Sequence, residues 1–295
     1  MGDIKLAHSV FAMPFAILGA FLVAPRTADA TIDWFTLGKI VVIVVVCMIF
    51  ARNWAMLFNR VADARIDADN PRTAGRAFAS GALSTRDGVV MLGLNAGAFI
   101  VACTVFGFLF SNWWPTILSL PVLIWIAFYS FTKRFTWLCH VFLGGALAAS
   151  PIAAAIATDP NSVTDTQAIF WIAGMVLCWV AGFDVIYALQ DLDYDRSKGL
   201  NSMPARFGWQ SALWISRLLH LGAVVCLLVA LRTSEALGVV FAIAIGLTTL
   251  LLIWEHTLLI KRGREGIPMA FFTLNGIVSV VLGLAGCVEI AAWSN

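Results

Sequence analysis

The chain has 295 residues, of which 61% are hydrophobic and 12% charged, and its net charge is only +2. A soluble domain carries about 25% charged residues, so this surface cannot be a water-facing one. The mean hydropathy of +0.89 agrees. Together they exclude an aqueous enzyme, a nucleic-acid binder and a disordered chain, and leave an all-α, polytopic membrane protein.

A spanning helix needs about 20 mostly apolar residues. In chain order the apolar runs predict nine: roughly 8–24, 35–58, 88–110, 114–131, 137–157, 166–188, 210–231, 235–259 and 268–292. The first is short and interrupted by Pro14, and no small-residue cleavage site follows it. The fourth carries Pro121. Nine spans put the termini on opposite sides. One side then holds 14 Lys and Arg in its connections and the other holds two, Arg26 and Arg232. The positive-inside rule makes the rich side cytoplasmic, with the N-terminus inside and the C-terminus outside. The expected architecture is one bundle with two long, Asp-rich cytoplasmic loops, 59–87 and 189–209.

Each long loop opens on an acidic motif. Asn59, Asp63 and Asp67 follow the second span; Tyr187, Asp191 and Asp195 follow the sixth. Within each pair the Asp residues are four apart, and the pairs are offset by 128. This suggests an internal repeat of two four-helix units plus a ninth helix. Four-residue spacing places two carboxylates one helical turn apart on one face. A cation between them would relieve their repulsion, and Mg²⁺ accepts few carboxylates plus phosphate oxygens. A solvated acidic helix end is the plainer alternative. Two matched pairs ringed by Arg and Lys suit a diphosphate, and an apolar bundle beneath them suits a lipid tail. A prenyl diphosphate has both.

Two intramembrane charges stand out. Arg52 precedes Asn59 by seven residues and Asp184 precedes Asp191 by seven, two turns along the same faces. A charge within the bilayer costs at least ~2.5–3.5 kcal/mol, which marks both as functional candidates. A structural Arg52–Asp184 pair is the alternative. Arg217 and Glu255 are expected to pair between spans, Lys39 to snorkel, Glu289 to be solvated. His140 is expected as a hydrogen-bonded packing residue, and His8 could face the cavity. Trp125 and Trp179 could line a lipid-shaped cavity, although packing is the simpler role. The six Cys lie in apolar runs without metal-ligand spacing and read as buried hydrophobes. No nucleotide-binding glycine motif follows a strand pattern.

These residues resemble the UbiA superfamily of intramembrane aromatic prenyltransferases over nearly the whole chain, implying a single domain, 1–295. The first family motif, N-x-x-x-D-x-x-x-D, stands at Asn59, Asp63 and Asp67. The second stands at Tyr187, Asp191 and Asp195, trailed by Gly199 and Ser202. Lys133–Arg134 after Tyr129, and Pro71–Arg72–Thr73, are also similar to family features. Many members have Asn-Asp where this chain has Asn59–Arg60, one carboxylate fewer. Within the superfamily the chain looks most like the bacterial 4-hydroxybenzoate polyprenyltransferase branch, which also has Arg at the position of Arg52. Stretches 8–15, 55–60 and 66–73 look closer still to a sister group of futalosine-route menaquinone synthesis that prenylates a dihydroxynaphthoate.

The resemblance implies a bacterial inner-membrane enzyme of quinone biosynthesis that depends on Mg²⁺ and opens laterally to membrane lipid. It implies metal ligands Asn59, Asp63 and Asp67 for one ion and Asp191 and Asp195 for another. Arg72, Lys133, Arg134 and Lys198, with Tyr187, would clamp the diphosphate of a polyprenyl diphosphate. Asp191 or Asp184 would orient or deprotonate an aromatic carboxylate acceptor, and Arg52 would bind its carboxylate. A haem- or chlorophyll-prenylating enzyme and a secondary transporter are alternatives. The sequence has no porphyrin feature, and a transporter would place its acids near the midplane.

Overall fold

The computed structural model describes residues 11–161 and 163–293. Residue His8, suggested as cavity-facing, lies outside the described residues. Among them, eight helices are long and apolar enough to cross a membrane. They are α2 (Trp34–Ala62), α4 (Thr85–Phe110), α5 (Trp114–Thr132), α6 (Cys139–Thr158), α7 (Gln167–Ala188), α10 (Trp209–Thr233), α11 (Val239–Arg262) and α12 (Asn275–Trp293). The first expected span is represented by α1 (Met13–Leu22), ten residues long, so the ninth crossing is not established as a full-length helix. Six short helical segments complete the described set: α3 (Ala64–Asp69), α8 (Leu192–Ser197), α9 (Met203–Phe207), two 3-10 turns, Leu189–Asp191 and Gly263–Gly266, and a π-helical turn, Met269–Leu274, leading into α12.

The outer face is apolar, with Phe35 77% and Phe108 78% exposed. Such a surface fits lipid, which has no need of charged side chains. Polar groups turn inward instead. Helix α7 is the most buried of the long helices. Its Trp179 lies in the core rather than lining a cavity: the indole packs edge-on to Phe15 and Phe183 and donates to Asn275 Oδ1 at 2.6 Å. Asn275 also donates to Glu255 Oε1 at 3.0 Å and to the Ala270 carbonyl at 2.9 Å, inside the π turn. That turn carries Phe271 against Tyr187, ring centroids 4.2 Å apart.

Several expected pairings are replaced. Glu255 on α11 bonds Asn275 of α12 and approaches His220 of α10 at 3.8 Å, while Arg217 lies over the Trp214 ring instead of pairing with it. Glu289 is part-exposed but not free: its two oxygens accept the Val240 and Phe241 N–H groups at 2.9 and 2.8 Å. It satisfies the first turn of α11, whose N–H groups have no partner within the helix. Lys39 lies over the Phe35 ring. All six Cys are free thiols.

Lipid gives helices no hydrophobic reason to associate, so small residues let backbones pack closely. Helices α6 and α7 meet in this way. A Cβ on Gly144 would sit 2.4 Å from the Leu177 carbonyl oxygen, which belongs to rigid backbone. Gly144→Ala is therefore expected to lower the melting temperature in detergent, by the roughly 1–3 kcal/mol of an overpacked core. Gly93→Ala, where a Cβ meets nothing within 4 Å, is the control and should leave it unchanged.

Candidate functional site

Both acidic motifs sit where a long helix ends. The expected continuous helical face is not formed: α2 ends at Ala62 with Asp63 as its C-cap, and α7 ends at Ala188 and passes through a 3-10 turn, Leu189–Asp191, to the first Asp of its pair. Asp63 (φ −99°, ψ 8°) separates α2 from α3, and Asp191 (φ −99°, ψ 10°) precedes α8. The two breaks have the same backbone geometry 128 residues apart. The turn survives at Asp63, whose carbonyl still accepts the Asp67 N–H at 2.8 Å. Breaking the helix frees each motif to fold over the bundle mouth.

The two loops are tied across that mouth. Tyr194 donates to the Ile66 carbonyl at 2.6 Å, and Asn70 donates to Asp191 at 3.2 Å. Arg72 makes two bonds to Asp191, 2.9 and 2.5 Å, and a third to the Tyr187 hydroxyl at 3.2 Å. Lys198 pairs with Asp69 at 2.7 Å.

Beneath this lid lies a cavity of about 770 Å³. Its mouth is lined by Asn59, Asp63, Asp67, Arg72, Lys133, Arg134, Tyr187, Asp191 and Asp195. Sequence reasoning had assigned all nine to the site. Arg52 and Asp184 line it too, about 10 Å deeper along α2 and α7 at 1.5 Å per residue. The walls between are apolar, including Met48, Phe99, Phe106 and Leu147. The structure does not bring Lys198 to the cavity lining, because Asp69 holds it at the rim.

Each of the four motif carboxylates meets a cation. Asp63 pairs with Arg134 at 2.9 Å, Asp191 with Arg72, and Asp195 with Lys133 at 2.8 Å. Arg76 reaches both oxygens of Asp67 at 2.7 Å, with Arg60 at 4.0 Å. Asp195 is fully buried and also accepts from Ser202 at 2.7 Å. Burial pushes the Asp63 carboxyl above the usual carboxylate range, and Arg134 draws it only part of the way back. Burial opposes the Lys133 charge, but Asp195 outweighs it, so the ammonium holds its proton more tightly than an ordinary lysine. Burial likewise opposes the Arg72 charge, and Asp191 overcomes it.

Sequence reasoning missed Arg76, Asn70 and His140 as site residues. His140 lines the cavity, and its Nδ1 lies 2.6 Å from Asp184 Oδ2. The partner of Asp184 is therefore His140 on α6, in place of the Arg52 pairing considered from sequence. Arg76 lay nine residues beyond Asp67, past Pro71, and no helical periodicity connects them.

The donor set suits a hard divalent cation: carboxylate and amide oxygens facing one cavity, with no sulfur ligand among them. Among the described residues no three carboxylate, histidine or thiol side chains stand close enough together to hold an ion, and Arg134, Arg76, Arg72 and Lys133 occupy the motif carboxylates.

The model of the UbiA prenyltransferase family matches residues 12–277. A Saccharophagus degradans protein named 4-hydroxybenzoate octaprenyltransferase is 30% identical over 248 residues, 83% of this chain and 76% of its own length. A Pseudoalteromonas atlantica protein of the same name is 28% identical over 240 residues, 80% of this chain and 79% of its own. The apo structure of a UbiA homologue from Aeropyrum pernix K1 superposes with a TM-score of 0.82 at 28% identity, over 97% of this chain and 99% of that one. A UbiA homologue from Archaeoglobus fulgidus, solved with GPP and Mg²⁺, superposes at 0.68 with 17% identity, over 96% and 95%, a likeness of fold.

The buried Asp195 gives a direct test of the ion pairs. Removing the partner of a buried charge leaves it uncompensated, and because Lys133 is part-exposed the cost falls below the ~3–5 kcal/mol of a fully buried pair. Lys133→Met is expected to lower the melting temperature of the ligand-free protein. Lys133→Met with Asp195→Asn should recover much of that loss, which a double-mutant cycle measures.

Proposed function

The chain belongs to the UbiA prenyltransferase family, and on that premise we propose that it transfers a polyprenyl group from a polyprenyl diphosphate to the ring of a 4-hydroxybenzoate-type aromatic carboxylate. One observation carries this reading. A single cavity joins a mouth of paired carboxylates and cations to an apolar chamber that also holds Arg52 and Asp184. The mouth suits a diphosphate, the walls an isoprenoid, and the deeper charges an acceptor with an anionic group and a hydroxyl.

Asn59, Asp63 and Asp67 would hold one Mg²⁺, and Asp191 and Asp195 a second. When bound, the metal neutralises the charge of the departing diphosphate. Arg72, Lys133 and Arg134 engage the diphosphate oxygens. Tyr187 braces Arg72 through its hydroxyl, at 3.2 Å. The prenyl C1–O bond breaks, and its electron pair leaves on the diphosphate. The ring carbon beside the acceptor hydroxyl forms the new C–C bond and then loses its proton to the Asp191 or Asp184 carboxylate, restoring aromaticity. Asp184 accepts a hydrogen bond from that hydroxyl, which raises electron density at the attacking carbon. Arg52 holds the carboxylate. The apolar walls exclude water, which would otherwise capture the allylic cation. The basic loops at the site support a cytoplasmic-facing mouth in a bacterial inner membrane, the N-terminus inside and the C-terminus outside, by the positive-inside rule.

A dihydroxynaphthoate-type acceptor offers the same two handles and is the second arm of the same assay. Membranes containing the protein, given a polyprenyl diphosphate and each acceptor separately, should prenylate one of them. Activity should vanish with EDTA and return with Mg²⁺. Turnover that resists the chelator overturns the two-metal reading.

Arg52 is tested by its geometry. Arg grips a carboxylate with two parallel N–H bonds, and Lys cannot reproduce that fork. Arg52→Lys is expected to lower kcat/KM for the acceptor roughly ten- to a hundredfold, the worth of a charge-assisted hydrogen bond. The prenyl diphosphate KM should change little. An unchanged acceptor KM with a lowered melting temperature would make Arg52 scaffold.

A further inference from the structure

A hydrogen-bonded path joins the two halves of the site through a residue to which the chemistry above gives no role. His140 stands at the start of α6, 3% exposed. Its Nδ1 lies 2.6 Å from Asp184 Oδ2 on α7, and its Nε2 lies 3.3 Å from the Met203 backbone nitrogen. A backbone N–H can only donate, so Nε2 must present a lone pair. A neutral imidazole has one proton, which then resides on Nδ1 and points at Asp184. A doubly protonated ring would turn two N–H groups against each other at Met203. Nδ1 is therefore the nitrogen that donates to the Asp184 carboxylate.

The far end of the path is equally fixed. Met203 opens α9, whose N-cap is Ser202. The Ser202 hydroxyl accepts the Ala205 N–H at 3.3 Å and donates to Asp195 Oδ2 at 2.7 Å. Asp195, Ser202, Met203, His140 and Asp184 thus form one chain of contacts from the diphosphate end to the acceptor end. The Gly144 approach of α6 to α7 keeps the imidazole within reach of the carboxylate. The terminal torsion of an Asp side chain has a broad energy profile, so packing alone does not fix the direction of its oxygens. A strong donor does.

We propose that His140 is a positioning residue for prenyl transfer: its Nδ1–H fixes the Asp184 carboxylate in the orientation that receives the acceptor hydroxyl, and its Nε2 anchors that orientation to the second Asp loop. This rests on the acceptor reading above. An orienting partner of this kind sets the direction and basicity of the group that meets substrate without touching substrate itself.

The test uses the full-length protein in membranes, with a polyprenyl diphosphate and each of the two acceptors. His140→Leu is expected to lower kcat/KM for the acceptor roughly ten- to a hundredfold, as loss of a charge-assisted hydrogen bond does. The prenyl diphosphate KM should stay within about twofold, the scatter of uncoupled sites. His140→Asn sets an amide N–H close to the position of Nδ1 and should recover most of the loss. In an Asp184→Asn background, His140→Leu should add little, because the two residues act as one unit. Three outcomes overturn the proposal while leaving the acceptor reading intact. The first is an acceptor kcat/KM within about twofold of wild type in His140→Leu. The second is equal loss toward both substrates, with a lowered melting temperature and no recovery in His140→Asn, which would make His140 packing. The third is full additivity with Asp184→Asn. Wild-type protein that prenylates neither acceptor overturns the acceptor reading, and this inference with it.

Discussion

Four carboxylates at the mouth of an apolar chamber cannot stay charged without partners, and that constraint organises the protein. Desolvating an ion costs several kcal/mol, which only a close and well-directed counter-ion offsets. For three of the four the partner comes from another segment, while Asp67 is met by Arg76 of its own loop. Arg72, on the first loop, reaches Asp191 of the second motif. Lys133 and Arg134, between α5 and α6, reach Asp195 and Asp63. Loops that would otherwise run free over the surface are thereby folded onto one another. The same cations are those an anionic substrate needs, so the order of the mouth and its chemistry draw on one set of residues.

Below the mouth, the solvent inverts the usual rules of burial. Hydrocarbon accepts apolar side chains on the outside, and polar groups must find partners inside. The Trp179–Asn275–Glu255 contacts show this at the centre of the bundle, and Glu289 shows it at the start of α11. The π turn belongs to the same pattern. It widens the backbone before α12, and the Asn275 amide satisfies a carbonyl there. Turns of this kind recur at functional sites, and this one sets Phe271 and Phe272 into the cavity wall behind Tyr187.

Helix α7 connects these levels. Its lower part is core, and its end carries Asp184, Tyr187 and, one turn on, Asp191. Seven residues separate Asp184 from Asp191, as seven separate Arg52 from Asn59 on α2. Two stiff helices with the same spacing thus hold a mouth and a deeper chamber at a fixed distance. A substrate with a charged head and an acceptor at the far side of its reacting carbon requires such a ruler.

What depends on neighbours within about two helical turns is legible in the residues alone. Apolar runs long enough to cross lipid marked the eight long helices to within a few residues. The 128-residue offset marked two equivalent motifs, and the seven-residue steps placed Arg52 and Asp184 on the motif-bearing faces. Helical periodicity is local, and it is written in composition. Tertiary structure decided the rest, because it depends on which helices meet. The helix breaks at Asp63 and Asp191 turned each acidic pair over the bundle. Arg76 rather than a second carboxylate came to Asp67, and Asp69 held Lys198 outside the cavity. Glu255 found Asn275 instead of Arg217, and Asp184 found His140, 44 residues away. A buried charge states in the sequence that it must have a partner. Only the packing of helices such as α6 against α7, where Gly144 lets two backbones close, decides which partner arrives.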